Sequence, residues 1–221
     1  GFAIASAQSF SGTGGVTKTG AGSLTLTGAS TYTGTSSVNA GKLVIGTNAT
    51  STGDVTVADG ATFGVLQSTA DAVLTRNNVT FGTTGASTLE VNLGNISGNT
   101  LNAPLNITGT ATLNGTVTVN IVDQLPDVGT IPLVSYAAKA GAGSFALGTV
   151  PSGMTATLVD DGATVSLVVT SLALPYWDGT VDNIWNTSTL NWVDIVSSNS
   201  EAFTNGNPVL FNDAASGPGG T

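Results

Sequence analysis

Paired carboxylates are the residues of this sequence that come closest to a catalytic arrangement, because glycoside hydrolysis uses two carboxyl groups about 5 to 10 Å apart. Two pairs are candidates: Asp160 with Asp161, and Asp178 with Asp182. The first pair directly precedes Gly162, and the turn preference of aspartate explains both residues without catalysis. Asp178 and Asp182 are candidates for a sugar site or for calcium ligands. A solvated loop is the interpretation that we favour for them.

The chain contains no histidine and no cysteine among its 221 residues. Their absence removes the usual catalytic base, the usual thiol nucleophile and the most common transition-metal ligands. Four basic residues against thirteen acidic ones give a net charge of −9, whereas phosphate binding needs clustered lysine and arginine. We therefore predict a protein that is not an enzyme, has no cofactor and does not bind nucleic acid. No stretch reaches the roughly 18 to 20 apolar residues that span a bilayer, so no membrane span is predicted.

The three tryptophans, Trp177, Trp185 and Trp192, are the candidates for ligand binding. Flat aromatic faces stack on sugar rings, and aromatic side chains dominate protein interfaces. Their spacing along the chain fits neither one face of a strand nor a helical stripe. We favour the alternative that the three form the hydrophobic nucleus of a terminal module.

A glycine-led step recurs along the first part of the chain. It appears as Gly22-Ser23-Leu24, as Gly41-Lys42-Leu43 and, with one more residue, as Gly60-Ala61-Thr62-Phe63. The leading glycines are evenly spaced, and their period of roughly twenty residues is typical of a solenoid. We predict that these glycines mark the corners of successive rungs and that Leu24, Leu43 and Phe63 form one internal stack.

The strands predicted around these steps alternate apolar residues with serine, threonine or asparagine, so one face of each strand is in water. Two all-β architectures satisfy this pattern: a parallel β-helix and an antiparallel β-sandwich. The constant spacing favours the β-helix. The four basic residues, Lys18, Lys42, Arg76 and Lys139, are isolated in the sequence and are predicted to be surface charges.

Changes in strand pattern and residue content divide the chain into three segments. Residues 1–122 are predicted to form β-helix rungs. Residues 123–174 contain longer strands joined by turns such as Asp160-Asp161-Gly162, which predict an antiparallel β cap. Residues 175–221 hold the tryptophans and are predicted to be the start of a further module or an assembly tail.

The stretch from Thr17 to Gly46 reads TKTGAGSLTLTGASTYTGTSSVNAGKLVIG. Its glycine, Leu-Thr-Leu, Thr-Tyr-Thr-Gly and Ala-Gly-x-Leu elements resemble the autotransporter-associated β-strand repeat, found in the passenger regions of type V secreted bacterial proteins. The resemblance is close over this stretch and looser from Ser87 to Thr170. It implies a right-handed parallel β-helix that is exported and displayed at the cell surface, with no catalytic residues to carry over.

We therefore expect a structural, non-catalytic segment of a secreted bacterial surface protein: a stalk, an adhesin or a filament unit. Expected partners are neighbouring modules of the same polypeptide, or identical subunits that associate by strand complementation through a tail such as Val209 to Phe211. Glycans or a host-cell surface are further expected partners. The alternative is a carbohydrate-binding or polysaccharide-processing β-helix module, which requires a groove lined by Trp177, Trp185 and carboxylates.

Overall fold

A computed structural model describes residues 3–94, 99–123, 127–172, 175–179, 181–182, 184–194, 198–203 and 209. The chain divides into two compact units, residues 1–151 with 156–168, and residues 152–155 with 169–221. All regular secondary structure in the described residues is β-strand. The described part of the chain has no helix that is long and apolar enough to cross a membrane.

The strands before residue 104 are short, and the longest strands of the described residues come after it. They are β1 (Ala3–Ser6), β2 (Val16–Lys18), β3 (Ser23–Leu26), β4 (Ser36–Val38), β5 (Lys42–Gly46), β6 (Val55–Val57), β7 (Thr62–Leu66), β8 (Leu74–Arg76), β9 (Val79–Phe81), β10 (Ser87–Asn92), β11 (Leu105–Leu113), β12 (Val117–Val122), β13 (Gly129–Ala140), β14 (Phe145–Leu147), β15 (Met154–Asp160), β16 (Thr164–Leu172), β17 (Pro175–Trp177), β18 (Trp192–Asp194) and β19 (Ser200–Glu201).

Successive strands from β1 to β14 alternate between two large sheets, except that β8 and β9 both lie in the same sheet. Sheet I has the order β1-β3-β5-β7-β10-β12-β14, and sheet II has the order β2-β4-β6-β9-β11-β13-β16-β15, with β8 also paired to β11. Each pairing from β1 to β14 is parallel. The architecture is therefore all-β with parallel sheets, and the antiparallel sandwich that the sequence left open is wrong for these strands.

The register of sheet I places equivalent residues of successive repeats beside one another. Leu24 pairs with Leu43, and Leu43 pairs with Phe63. The same position continues through Leu89 and Val119. Leu43, Phe63, Leu89 and Val119 have no solvent exposure, because each inward side chain is covered by its counterparts on the two neighbouring strands. Each such burial stabilises the fold by about 1.5 to 3 kcal/mol.

Sheet II ends in a hairpin. Strands β15 and β16 are neighbours joined by Asp161, Gly162 and Ala163, so they run in opposite directions. The amide of Asp161 donates to the carbonyl of Thr164 (3.1 Å), and the Asp161 carboxylate accepts from the amides of Ala163 and Thr164. Turn chemistry thus accounts for Asp161.

The second unit contains a small antiparallel sheet of β17, β18 and β19. Trp177 pairs with Trp192 across β17 and β18, and Trp192 pairs with Glu201 on β19. This register brings two of the three tryptophans onto neighbouring strands. The predicted assembly tail from Val209 to Phe211 lies, except for Val209, outside the described residues.

Candidate functional site

The tryptophans predicted to bind a ligand form one aromatic cluster in the second unit. The ring of Trp192 lies 5.2 Å from that of Trp177 and 5.2 Å from that of Trp185, both edge to face. Phe203 completes the cluster, 5.1 Å from Trp185. Trp192 is fully buried, whereas Trp185 is 51% exposed. Edge-to-face packing is a geometry that aromatic pairs generally prefer, so it does not decide between a hydrophobic nucleus and sugar binding by these rings, and both stay predictions.

Asn191 organises the loop beside this cluster. Its Oδ1 atom accepts from the amides of Val181 and Asp182, both at 3.0 Å, and its Nδ2 atom donates to Asp182 Oδ1 and to the carbonyl of Ile184 at 3.2 Å. Asn191 is fully buried. The conformation of this loop thus depends on Asn191, which the sequence analysis did not select as a candidate.

The two calcium candidates have structural roles in the same loop. Asp182 Oδ1 accepts from the amide of Ile184 (2.8 Å) as well as from Asn191. The amide of Asp178 donates to the carbonyl of Asn191 (3.0 Å), and the side chain of Asp178 is buried. No cluster of three or more potential metal ligands occurs in the described residues.

The other carboxylate pair, Asp160 and Asp161, has two different structural roles. Asp161 holds the hairpin turn, whereas Asp160 accepts from the Tyr136 hydroxyl and forms an ion pair with Lys139 (2.6 Å). Burial raises the pKa of Tyr136, and Asp160 raises it further. Burial also acts to raise the pKa of Asp160, but the hydrogen bonds from Lys139, Tyr136 and Gly162 outweigh it, so the net shift is downward.

The prediction that the basic residues are isolated surface charges is wrong. Lys42 forms an ion pair with Glu90 (2.9 Å), and Lys18 and Arg76 are buried. The ammonium of Lys18 donates to the carbonyls of Thr19 (2.8 Å), Gly20 (2.6 Å) and Ala40 (3.0 Å). Lys18 therefore ties the corner of its own rung to the corner of the next.

The corner glycines allow these carbonyls to approach. Gly41 and Gly60 have φ values of +68° and +73°, in the left-handed region that side chains disfavour. A Cβ atom at Gly41 would overlap the carbonyl oxygens of Gly22 and Gly20. At the opposite corner, a Cβ atom at Gly53 would overlap the carbonyl oxygen of Gly34, one rung earlier. Gly41 and Gly53 thus let the backbones of successive rungs touch, whereas a Cβ atom at Gly60 would meet nothing within 4 Å and only the φ value of Gly60 favours glycine.

This geometry belongs to a recognised sequence unit. Residues 16–45 match the passenger-associated-transport-repeat. The predicted resemblance to an autotransporter passenger repeat is confirmed for this segment, which contains β2 to β4 and most of β5. No curated protein matches the chain.

Carboxylates after the passenger-associated-transport-repeat fasten one rung to the next. Asp59 accepts from the Thr83 amide (2.6 Å), the Thr83 hydroxyl (2.7 Å) and the Gly85 amide (3.0 Å). The Thr83 hydroxyl contributes most, followed by these amides, and together they lower the pKa of Asp59 to about 2. Asp54 accepts from the Asn78 amide (3.1 Å) in a similar way. Each carboxylate thus supplies hydrogen bonds between two rungs at a corner, where the strands do not pair.

Arg76 is a buried charged residue that the sequence analysis did not recognise as buried. Its guanidinium is fully buried and donates from Nη1 to the carbonyl and the hydroxyl of Ser51 (2.7 Å to the hydroxyl). Its Nε and Nη2 atoms have no acceptor among the described residues. Burial lowers the pKa of Arg76. The sequence does contain one signal for this cluster: Tyr32, Ser51 and Arg76 follow one another at intervals of about one repeat.

Proposed function

We propose that this chain is a stiff, non-catalytic spacer in a secreted bacterial surface protein, built as a right-handed parallel β-helix. The observation that carries the proposal is the parallel pairing of the strands from β1 to β14, together with the passenger-associated-transport-repeat at residues 16–45. Parallel strands joined by a crossover are right-handed in almost all proteins, which supports the handedness.

The length of the proposed spacer follows from the register of sheet I. One position of sheet I is occupied in turn by Ser23, Lys42, Thr62, Thr88, Thr118 and Ala146. Neighbouring strands lie about 4.8 Å apart, so the five steps from Ser23 to Ala146 span about 24 Å. Each added rung lengthens the protein by one strand spacing.

Stiffness follows from what joins the rungs. The inward stack is buried, the corners are in backbone contact at the glycines, and Asp54, Asp59 and Lys18 bind atoms of the next rung. A bend between two rungs would break all three kinds of contact at once. These features favour a stalk over the adhesin and filament roles, which require a specific ligand or a second copy.

The outer face fits exposure to water at a cell surface. Outward positions of sheet II carry Thr17, Ser37, Thr56, Thr80 and Thr112 in one register. Hydroxyl groups keep this face wettable without a charge, and cross-strand pairs of threonine and serine add a small stabilisation. The Thr56 hydroxyl donates to the Ser37 hydroxyl at 3.3 Å.

Two measurements test the proposal. The chain has no cysteine, so spin labels on Ser23→Cys and Ala146→Cys report one distance. Five strand spacings predict a single narrow distribution centred at about 24 Å, because both labels project from the same face of the sheet. Fused to a surface-display carrier, an N-terminal epitope on the chain should be reached by antibody on intact bacteria. A broad distance distribution would contradict the stiffness, and an inaccessible epitope would contradict surface display.

A further inference from the structure

Arg76 on β8 is a fully buried cation with donor groups that no described residue accepts. A guanidinium carries several N–H donors in one plane and stays protonated in proteins. Nη1 donates to the carbonyl and to the hydroxyl of Ser51. The N–H of Nε and the N–H groups of Nη2 have no acceptor in the described part of the chain. Because buried charges in proteins are normally paired, these donors point to a ligand.

The unsatisfied donors lie together on one edge of the Arg76 guanidinium. Nε and Nη2 are neighbours on this edge, whereas Nη1, which is bound to Ser51, lies on the opposite side of the group. Two parallel N–H groups on one edge form the fork by which arginine holds an anion. The edge therefore offers two converging hydrogen bonds to a single negatively charged ligand.

Tyr32 does not compensate the charge of Arg76. The guanidinium carbon lies 5.8 Å from the centroid of the Tyr32 ring, which is within the range of a cation–π contact. The Tyr32 hydroxyl already shares a hydrogen bond with Ser36 (2.7 Å). Burial lowers the pKa of Arg76, and the opposing effect of Tyr32 does not cancel it. An aromatic face and a neutral hydroxyl thus leave a net positive charge in the interior.

The surroundings of Arg76 limit the size of a ligand. Tyr32 and Ser51, which contact the guanidinium from earlier rungs, are both buried. Ile107, which pairs with Arg76 on the next strand, is fully buried as well. A carboxylate attached to another polypeptide cannot reach this position without separating the rungs, whereas a small inorganic anion can. One negative charge is sufficient to offset one guanidinium.

The other basic side chains of the chain already have partners. Lys18 is bound by backbone carbonyls, Lys42 by Glu90 and Lys139 by Asp160. The chain as a whole carries a net charge of −9, and a negative surface repels anions. Specific anion binding in the described residues is therefore expected at Arg76.

We propose that Nε and Nη2 of Arg76 bind one small monovalent anion of the halide class inside the first unit. The anion accepts a hydrogen bond from each of the two nitrogens and offsets the buried charge. A ligand that binds only the folded state stabilises it with the logarithm of the ligand concentration. The stability of the first unit therefore rises with the halide concentration around the protein. This inference goes beyond the spacer role and does not depend on it.

Thermal melts at constant ionic strength test the site. Sodium chloride replaces sodium gluconate, whose anion is too large for a buried position. The wild-type Tm should rise by about 3 to 5 °C for each tenfold increase in chloride above the dissociation constant. Arg76→Met should melt at or above the wild type in gluconate and should not respond to chloride. Lys42→Met is the control, because it removes the same charge from a partly exposed ion pair and should keep the chloride response.

Two results of these melts would overturn the proposal. A wild-type Tm that does not respond to chloride would leave only water to serve Arg76, and an equal response of Arg76→Met would assign the effect to anions elsewhere on the protein. Anomalous diffraction from wild-type crystals grown in sodium bromide does not depend on the folding of a variant. A bromide peak within hydrogen-bond distance of both Nε and Nη2 is expected. Bromide peaks only at the protein surface would overturn the site.

Discussion

The guanidinium carbon of Arg76 lies 5.8 Å from the ring centroid of Tyr32, although the two residues belong to different rungs. Ser51 occupies the intervening rung, and its small side chain leaves room for the guanidinium and accepts its hydrogen bond. The Tyr32 hydroxyl shares a hydrogen bond with Ser36 (2.7 Å). A cation is thus held in the interior by hydroxyl groups, a carbonyl and an aromatic face, with no carboxylate among the described residues bonded to it.

This arrangement predicts different effects on stability for substitutions of Arg76 and of Ser51, which are in contact. Arg76→Met replaces a buried cation by an apolar side chain of similar length and should leave the protein equally stable or stabilise it by about 1 to 4 kcal/mol. Ser51→Ala keeps the cation but removes an acceptor and should cost about 1 to 3 kcal/mol. Urea unfolding of both variants measures the difference. Destabilisation by Arg76→Met beyond that of Ser51→Ala would show that the guanidinium is a net stabilising element.

Charge at the inward stack should not be tolerated. Leu43→Asp places a carboxylate where Leu24 and Phe63 pack on either side, without a partner to offset its lost hydration. The expected cost exceeds about 4 kcal/mol and should appear as loss of the cooperative thermal transition. The matched control is Thr56→Asp, at an exposed outward position of β6, which should melt like the wild type. Similar melting curves for both variants would refute the inward assignment of Leu43.

A glycine whose Cβ position overlaps a neighbouring rung should be required for stability. Gly53→Ala drives a methyl group into the carbonyl of Gly34, whereas a Cβ atom at Gly14 meets nothing within 4 Å. Overpacking of this kind costs about 1 to 3 kcal/mol, so Gly53→Ala should lower the Tm by several degrees. Gly14→Ala, the control, should not lower it. Equal Tm values would mean that the rungs are farther apart at this corner than the structure shows.

Acid should weaken the contact between Asp59 and the following rung. The pKa of Asp59 is about 2 in the folded protein, below its ordinary value of 3.8, so the folded state favours the carboxylate. Its contribution to stability is therefore complete above pH 3.8 and is lost as the pH falls towards 2. Thermal melts of the wild type and Asp59→Asn should differ most near neutral pH and converge at the acid end of this window. A difference independent of pH would exclude ionisation of Asp59 as the cause.

The sequence predicted the parts of this fold that repeat. Alternation around Leu43 and the constant period to Gly60 each follow from one-dimensional spacing, because every rung presents the same pattern to its neighbour. The local sequence around Arg76 did not reveal its buried position, since its environment comes from Ser51 and Tyr32 on two earlier rungs. Lys18 was misassigned to the surface for the same reason: the carbonyls around it are brought together by corners that close only in three dimensions.

The central claim is that successive repeats stack in register, and inserting one repeat tests it most directly. A copy of residues 28–46 placed after Gly46 adds one rung between labels at Ser23→Cys and Ala146→Cys. The labels should separate by a further distance of about 4.8 Å, one strand spacing, with no broadening of the distance distribution. A glycine and serine insertion of equal length at the same point is the control and should loop out. An unchanged or broadened distance for the repeat insertion would contradict the stacked ladder.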